Sequence, residues 1–432
     1  MMYLQSLLGP APWPRQLTTL AAFLVPALAL TVSSGYSYGA LLLLLGALVA
    51  APQWATRKPD TGAVVLAVLM VGMGLFWFIL AYPEGGWNQW DRPMKFFLSA
   101  VCLVFVAACP PRPRASFWGL LVGCAGAGAV ALWQVGVEGA PRASGFPSGR
   151  TNAIQWGNLA VLLGAMLAAH LMAMRKQLNP WVIAVGALAT AAALNASVLS
   201  QSRGGWLALL LALPVGLWLV FRFNRRRLAR VVGAVVAVVL VVGAANHDVL
   251  DQRWEVMTSE VQVYQAQRSA NTSVGQRLEH WRFAWDLGLE RPLIGWTTTG
   301  YLKEKDRRVA AGLYQPSIQE YVFVHNEVLD VFVKAGLVGV AWLLALYFWP
   351  IYLLWPSKKR VAAFASQPDD WRAQWLALRV AGLCVPVLYI GFGLTQVFFA
   401  HNSGIMGYLF LIMLQWSAVL GMERGVARTA AA

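Results

Sequence analysis

Between Thr61 and Tyr82 the sequence reads TGAVVLAVLMVGMGLFWFILAY, without a single charged residue. The hydrocarbon core of a bilayer is about 30 Å thick, and about 20 apolar residues in α-helical conformation cross it. The run therefore predicts a transmembrane helix in the first fifth of the chain.

The rest of the chain has the same apolar character. Of its 432 residues, 58% are hydrophobic and 12% are charged, against about 25% charged residues in an average soluble domain. Lys and Arg number 34 and Asp and Glu number 19, so the formal net charge is +15. These values exclude an ordinary soluble globular fold, a disordered chain and a small secreted disulfide scaffold. They predict an all-α polytopic membrane protein.

Twelve apolar stretches are candidates for transmembrane helices. They are Leu17–Val32, Tyr38–Trp54, Thr61–Tyr82, Phe96–Cys109, Ala115–Val137, Ala153–Met174, Pro180–Leu199, Gly204–Phe221, Val231–Ala245, Val328–Trp355, Ala373–Phe399 and Ser403–Gly421. A single cation, Arg15, precedes the first stretch, and eleven further stretches follow it. We therefore expect an uncleaved first helix rather than a secretory signal peptide.

Lys and Arg are divided unequally between alternate loops. With the N-terminus in the cytoplasm, the inner segments hold 18 Lys and Arg residues. The short outer loops hold five, namely Arg92, Lys95, Arg142, Arg150 and Arg203. Because cytoplasmic loops carry the excess of cations, both termini are predicted to be cytoplasmic. The net positive charge is thus explained by the cations of the inner segments and by those on the outer face. No nucleic-acid partner is expected.

The chain divides into three predicted parts. Residues 1–245 hold the first nine transmembrane helices, residues 246–325 form one large outer loop, and residues 326–432 hold the last three helices. The loop is too polar to span a bilayer, but Asp251–Gln267 and Val274–Leu289 have the pattern of amphipathic helices. It lacks the low complexity of a linker, so we expect a mainly helical, functional domain.

The outer cations in short loops oppose the orientation rule, so each needs a reason. Arg142 and Arg150 flank a glycine- and serine-rich segment whose backbone amides can line an anion. Arg203 lies in the first turn of a predicted helix, where a cation opposes the helix dipole at a cost of up to about 1 kcal/mol. An anion bound at that terminus would remove the cost. The alternatives are solvated arginines in a flexible turn and an arginine that extends to lipid headgroups.

Two further candidates lie in and after the large loop. Arg277 and Trp281 are four residues apart and share one helical face, although the same helix can also rest its tryptophans on the membrane surface. His325, followed by Asn326, opens the tenth predicted span, where the helix dipole lowers the pKa of an imidazole. A neutral histidine can act as a general base, although an interfacial histidine can also serve only as a hydrogen-bonding group. His401 is a similar but weaker candidate.

These residues share a chemistry, because they place several arginines and a candidate neutral base on the outer face of a helix bundle. No outer-face cluster of His, Asp or Glu has the spacing of metal ligands. The substrate indicated is a lipid that carries a phosphate or diphosphate. Arginines could stabilise a departing diphosphate in place of the metal ion that many glycosyltransferases use.

Three motifs carry a resemblance to the bacterial O-antigen ligase and polymerase superfamily of polytopic glycosyltransferases. The stretch Ser202-Arg-Gly-Gly-Trp206 looks like its Ser-Arg-Gly motif at the outer start of a span. The stretch from Gly275-Gln-Arg277 to Pro292-Leu-Ile-Gly295 is similar to its Arg…Trp…Ala…Pro-Leu-x-Gly motif. The residues His325-Asn326, with Ala335-Gly-Leu-Val-Gly339, resemble its His-Asn…Gly-Leu-x-Gly motif. Their order and placement together are typical of the superfamily.

The resemblance implies about 12 transmembrane helices with a GT-C-like architecture in the bacterial inner membrane. It implies metal-independent, inverting transfer of a glycan from undecaprenyl diphosphate to an acceptor hydroxyl on the periplasmic face, without a cofactor. His325 matches the proposed base, and Arg203 and Arg277 match the arginines that hold the diphosphate. We add Arg142, Arg150, Lys95, Asn326 and Trp281 as candidate substrate-binding residues, and membrane lipids as partners.

The shared motifs leave the acceptor open. The mid-length loop favours an O-antigen ligase, with the lipid A-core oligosaccharide as acceptor. An O-antigen polymerase and a protein O-oligosaccharyltransferase are alternatives within the same superfamily. A lipid-linked oligosaccharide transporter is an alternative of another class, although transporters place their charges near the bilayer midplane and these lie at one outer rim.

Overall fold

A computed structural model describes residues 11–81, 90–145, 152–223, 247–267 and 271–431, together with isolated positions between 233 and 244. Of the described residues, 81% are helical and none lies in a β-strand. The fold class is therefore all-α, as predicted.

The helices that precede the large loop follow the apolar stretches of the sequence. They are α1 (Trp13–Leu28), α2 (Tyr36–Val49), α3 (Thr61–Ala81), α4 (Asp91–Ala108), α5 (Ala115–Gly136), α6 (Ala153–Met174), α7 (Pro180–Leu199) and α8 (Arg203–Phe223), with a short helix at Ala51–Trp54. The predicted ninth span, Val231–Ala245, lies largely outside the described residues.

The large loop and the C-terminal part contribute six further long helices. They are α9 (His247–Gln267), α10 (Ser273–Glu290), α11 (Thr297–Ala310), α12 (Glu327–Leu354), α13 (Asp369–Gly393) and α14 (Asn402–Ala431). Short helical segments cover Pro316–Glu320, Lys358–Ala363 and Phe398–Ala400. Helices α9 and α10 cover the two amphipathic segments predicted for the loop, whereas α11 has no counterpart in the sequence interpretation.

Seven of the described helices are long and apolar enough to cross a membrane, judged by length and composition: α3, α5, α6, α7, α12, α13 and α14. Helix α2 (Tyr36–Val49) and the stretch Arg203–Gly216 of α8 are shorter apolar segments. This confirms the prediction of a polytopic membrane protein. Helix α14 lies at the centre of the bundle, since Leu409, Ile412 and Met413 are fully buried there.

The large loop has a small hydrophobic core of its own. Phe283 and Leu287 of α10 meet Tyr301 of α11 and Ile318 in this core, and each is fully buried. Val333 of α12 belongs to the same cluster. The loop is therefore a folded unit that packs on the beginning of α12.

A kink in α12 at Gly336 receives the segment that follows α10. Gly336 has φ 65° and ψ −165°, a conformation that favours glycine. The N–H of Leu337 donates to the carbonyl of Pro292 over 2.7 Å, and the N–H of Trp296 donates to the carbonyl of Val333 over 2.9 Å. The Pro-Leu-Ile-Gly and Gly-Leu-Val-Gly motifs therefore meet here, where they fix the large loop to α12.

Candidate active site

Arg203 begins α8, and the glycine after it lets this helix end approach two others. The Ser202 hydroxyl donates to Oδ1 of Asn158 in α6 over 2.7 Å. A Cβ on Gly204 would lie 2.5 Å from Oγ1 of Thr395, just beyond the end of α13. Because only glycine fits this contact, the Ser-Arg-Gly motif places Arg203 beside the segment that follows α13.

His325 lies directly before α12 and has a positive φ of 57°, which is uncommon for a residue with a side chain. The next residue, Asn326, is the N-cap, and its Oδ1 accepts from the N–H of Leu329 over 3.1 Å. Its Nδ2 donates to the carbonyl of Leu394 over 3.3 Å. Asn326 thus uses both ends of its amide to hold the start of α12 against the end of α13.

The hydrogen bonds around His325 assign its tautomer. Nδ1 lies 2.8 Å from Oε1 of Gln396, and the N–H of Val397 donates to the same oxygen over 3.1 Å. An oxygen can only accept, so Nδ1 carries the ring proton and Nε2 has a free lone pair when the ring is neutral. Burial lowers the pKa of His325, and the charge of Arg277 lowers it further, against the opposing effects of the Gln396 hydrogen bond and Asp330. The imidazole is therefore neutral at neutral pH.

Arg277 lies in the first turns of α10 and connects the loop to the helix bundle. Burial lowers its pKa, and the charge of Arg203 lowers it further, while Glu260 and Tyr321 act in the opposite direction. Arg277 in turn acts on His325 through its charge. Arg277 is therefore within electrostatic range of both Arg203 and His325, which lie more than 100 positions apart in the sequence.

Two more of the predicted binding residues, Arg142 and Lys95, are held by hydrogen bonds to the backbone near helix ends. Nε of Arg142 donates to the carbonyl of Ser200 over 3.0 Å. Because Ser200 lies three residues before Arg203, the Arg142 side chain contacts the segment that leads into α8. Lys95 forms an ion pair with Asp91 one turn earlier in α4 and donates to the carbonyl of the same residue over 3.3 Å. Arg142 therefore lies beside the start of α8, whereas Lys95 is held by its own helix.

The last two predicted binding residues are not brought into the cluster by the described structure. Trp281 lies on α10 and packs, partly buried, against the hydrophobic core of the loop. Arg150 lies outside the described residues. A role in binding stays a prediction for both.

Glu327, the first residue of α12, is an acidic residue that the sequence interpretation passes over. It is fully buried, and its Oε2 accepts from the N–H groups of Phe398 and Phe399 over 2.5 and 3.1 Å. It thereby binds the turn that follows Gln396. The contact fixes the backbone on which the partner of His325 lies.

Asp330 and Lys334 form a second buried charged pair on α12. Both side chains are fully buried, and Nζ of Lys334 lies 2.7 Å from Oδ1 of Asp330. The same oxygen accepts from the N–H of Val324 over 3.1 Å, and Nζ also donates to the carbonyl of Val322 over 3.3 Å. The pair therefore anchors the backbone that leads into His325. Their spacing of four residues within an apolar helix is the signal that could have identified them.

Arg92 and His401 lie near the same cluster. The Arg92 guanidinium lies 5.4 Å from the ring of Phe323, and it donates to the carbonyl of Ala400 over 3.2 Å. The ring of His401 lies 6.0 Å from that of Phe323. Burial lowers the pKa of His401 to about 4, with contributions from the charges of Arg92 and His325. The imidazole of His401 is therefore also neutral at neutral pH. The sequence indicates His401 as a weaker candidate for the general base.

Lys305 of α11 is a buried cation that contacts the backbone of Tyr321, a neighbour of His325. Its buried Nζ donates to the carbonyl of Tyr321 over 2.6 Å, and burial lowers its pKa to about 8. The ring of Tyr321 packs edge-on at 4.9 Å from the ring of His325. Within the described ranges, no group of three or more His, Cys, Asp or Glu side chains is placed to hold a metal ion. The chemistry on offer is that of cations around a neutral imidazole.

Comparison with known proteins bears on residues 186–344, which match the family model described as O-antigen ligase. The matched region contains Arg203, Arg277 and His325, and with them the three motifs on which the resemblance was based. An uncharacterized protein of Haemophilus influenzae is 24% identical over 339 residues, which cover 77% of this chain and 81% of that protein.

The family match supports a function of the O-antigen ligase or polymerase type, carried out by a glycosyltransferase-like enzyme. It confirms the resemblance predicted from the sequence. Residues 186–344 thus match the O-antigen ligase family model, which supports a place for this chain in the O-antigen ligase and polymerase superfamily.

Proposed function

We propose that the protein is an O-antigen ligase, which transfers the O-antigen glycan from undecaprenyl diphosphate to the lipid A-core oligosaccharide. The observation that carries this proposal is the hydrogen bond from Nδ1 of His325 to Oε1 of Gln396, which leaves Nε2 of the ring to accept a proton, while the charge of Arg277 acts on the same ring. Arginines suit the oxygens of a diphosphate, and a neutral imidazole suits an acceptor hydroxyl. The family match over residues 186–344 supports the same type of reaction.

In the proposed reaction, the acceptor hydroxyl attacks the anomeric carbon of the donor glycan. The new C–O bond forms as the bond to the diphosphate oxygen breaks, with inversion, and the lipid diphosphate leaves with the bonding electron pair. Nε2 of His325 takes the hydroxyl proton, because Nδ1 already donates to Gln396. Arg203 and Arg277 stabilise the negative charge that develops on the leaving group. The reaction as proposed uses no metal ion and no cofactor.

We propose supporting roles for the other predicted residues. Arg142 is suited to the diphosphate because it is held beside the start of α8, and Arg150 is proposed to act with it. Lys95 would have to leave its ion pair with Asp91 to contribute. Asn326 holds the backbone next to His325, and Trp281 is proposed to contact the glycan.

The proposed setting is the bacterial inner membrane, with both termini in the cytoplasm and the site on the periplasmic face. We propose twelve transmembrane helices with a GT-C-like architecture; within the part of the chain that the structure describes, seven helices are long and apolar enough to cross a membrane. The proposed division at residues 245 and 325 is supported by the separate hydrophobic core of the loop.

An O-antigen polymerase, a protein O-oligosaccharyltransferase and a lipid-linked oligosaccharide transporter are the alternatives. The lipopolysaccharide gel of a deletion strain distinguishes them, with the wild-type gene restored as control. A ligase predicts loss of the long bands while lipid-linked polymer accumulates. Caps of a single repeat would indicate the polymerase, and intact lipopolysaccharide with unglycosylated protein would indicate the protein-modifying enzyme. Donor retained on the cytoplasmic face would indicate a transporter.

A further inference from the structure

A second group of arginines lies at the opposite end of the helix bundle from the candidate active site. Helix α13 has 25 residues, so its two ends lie about 37 Å apart at a rise of about 1.5 Å per residue. The candidate active site adjoins its C-terminal end. A cavity of about 510 Å³ adjoins its N-terminal end, and Arg15, Arg112 and Arg114 line it.

The fold brings these arginines together from two separate elements. Arg15 lies in the first turn of α1, whereas Arg112 belongs to the segment between α4 and α5. The Thr18 hydroxyl donates to the carbonyl of Cys109 over 2.8 Å, and the N–H of Arg112 donates to Oγ1 of Thr19 over 3.1 Å. These hydrogen bonds fix the arginine-bearing segment to α1, so the cations converge through tertiary structure.

The cavity has an excess of positive charge. Desolvation lowers the pKa of Arg15, and the charge of Arg112 lowers it further. Among the described residues of the lining, the cations are Arg15, Arg112 and Arg114, and the acidic residue is Asp370, whose side chain is exposed. Adjacent like charges cost free energy, and a bound anion removes part of that cost.

We propose that this cavity binds the phosphate of an anionic phospholipid headgroup. Arginine forms paired hydrogen bonds to phosphate oxygens, and basic pockets between transmembrane helices are suited to lipid headgroups. The rest of the lining is largely apolar and includes Trp371, which is 40% exposed, and Met422. Helices α13 and α14, which contribute residues to the lining, are both long and apolar enough to cross a membrane. The cavity therefore lies at the level of a helix end, where headgroups are found.

These arginines also serve as topology signals under the positive-inside rule, but that role does not require them to share a cavity. Arg175 and Lys176 supply a matched control, because they follow α6 at the same end of the bundle and do not line the cavity. The lipid site predicts that the two pairs of cations differ in headgroup binding, whereas a pure topology signal predicts that they do not.

The test measures binding of phosphatidylglycerol and of phosphatidylethanolamine to the purified full-length protein by native mass spectrometry. We expect the wild type to prefer phosphatidylglycerol. Arg112→Gln with Arg114→Gln should bind it about 30-fold more weakly, from about 1 kcal/mol for each cation removed. Arg175→Gln with Lys176→Gln should leave binding within about threefold of the wild type. Equal binding by both double variants would overturn the proposal.

Two further arms keep the test decisive. If the Arg112 and Arg114 double variant is not monodisperse, Arg15→Gln alone should weaken phosphatidylglycerol binding about fivefold, and unchanged binding would overturn the proposal. Inorganic phosphate at the same concentration should leave the thermal stability of the wild type unchanged. Stabilisation by phosphate equal to that by phosphatidylglycerol would assign the site to a free anion and overturn the lipid assignment.

Discussion

Substitution of Gln396 should change the pH dependence of the reaction, because this side chain sets the tautomer of His325. Gln396→Leu puts an apolar side chain of similar size into a site that is 3% exposed and removes the acceptor 2.8 Å from Nδ1. A buried donor left without its partner costs about 1–3 kcal/mol. If that penalty raises the activation free energy of the transfer step, the rate decreases about 5-fold to 150-fold.

The sign of the pH effect follows from the surroundings of His325. Only the neutral imidazole accepts a proton, so the rate falls as the pH drops through the pKa of His325. The Gln396 hydrogen bond raises that pKa, so Gln396→Leu should move the acidic limb of the rate profile to lower pH. Gln396→Glu places a carboxylate beside the ring, which favours the charged form, and should move the limb to higher pH.

The assay is the initial rate of glycan transfer measured between about pH 5 and pH 9. Gln374→Leu supplies a matched control, because this buried glutamine lies on the same helix, α13, at its opposite end. It should leave the profile of the wild type in place. Acidic limbs that coincide in the wild type and in both Gln396 variants would refute the role of His325 as the titrating base.

Three further predictions concern charge and packing. Arg277→Gln removes a cation that lowers the pKa of His325, so the acidic limb of the rate profile should move to higher pH and the KM for the donor should rise. An unchanged acidic limb would contradict the effect of Arg277 on the pKa of His325. Gly336→Ala puts a methyl group into a left-handed backbone position against the loop, at a cost of about 1–3 kcal/mol, and thermal unfolding should occur several degrees lower. Lys334→Met leaves the buried carboxylate of Asp330 unpaired and should destabilise the protein by about 3–5 kcal/mol. Adding Asp330→Asn should restore part of that loss, and additive losses would argue against the pair.

Much of the helix bundle can be predicted from the sequence, because hydrophobic length determines a transmembrane helix. Helix α6 begins and ends at the residues predicted for its span, Ala153–Met174, and α7 does so for Pro180–Leu199. The kink at Gly336 could not be predicted in this way. The hydrophobic pattern of α12 is continuous through the kink, whose cause is the backbone of a distant loop.

The candidate site also contains residues that the sequence identifies and residues that it does not. Arg203, Arg277 and His325 can be singled out because each lies in a local motif. Gln396 lies 71 residues from His325 and Arg92 lies in another helix, and neither belongs to a motif of the sequence interpretation. Their roles depend on which helix ends meet in space. Hydrophobic periodicity and the count of charges along the chain do not show which helix ends contact each other.

Transfer by the purified protein tests the central claim most directly. The protein is reconstituted with a glycan on undecaprenyl diphosphate and with lipopolysaccharide that lacks O-antigen, in the presence of a chelator, and the product is resolved on a gel. We predict extended lipopolysaccharide with the wild type and none with His325→Ala, whose folding is checked by its unfolding temperature. Full transfer by His325→Ala, or transfer by the wild type only after a divalent ion is restored, would contradict the account.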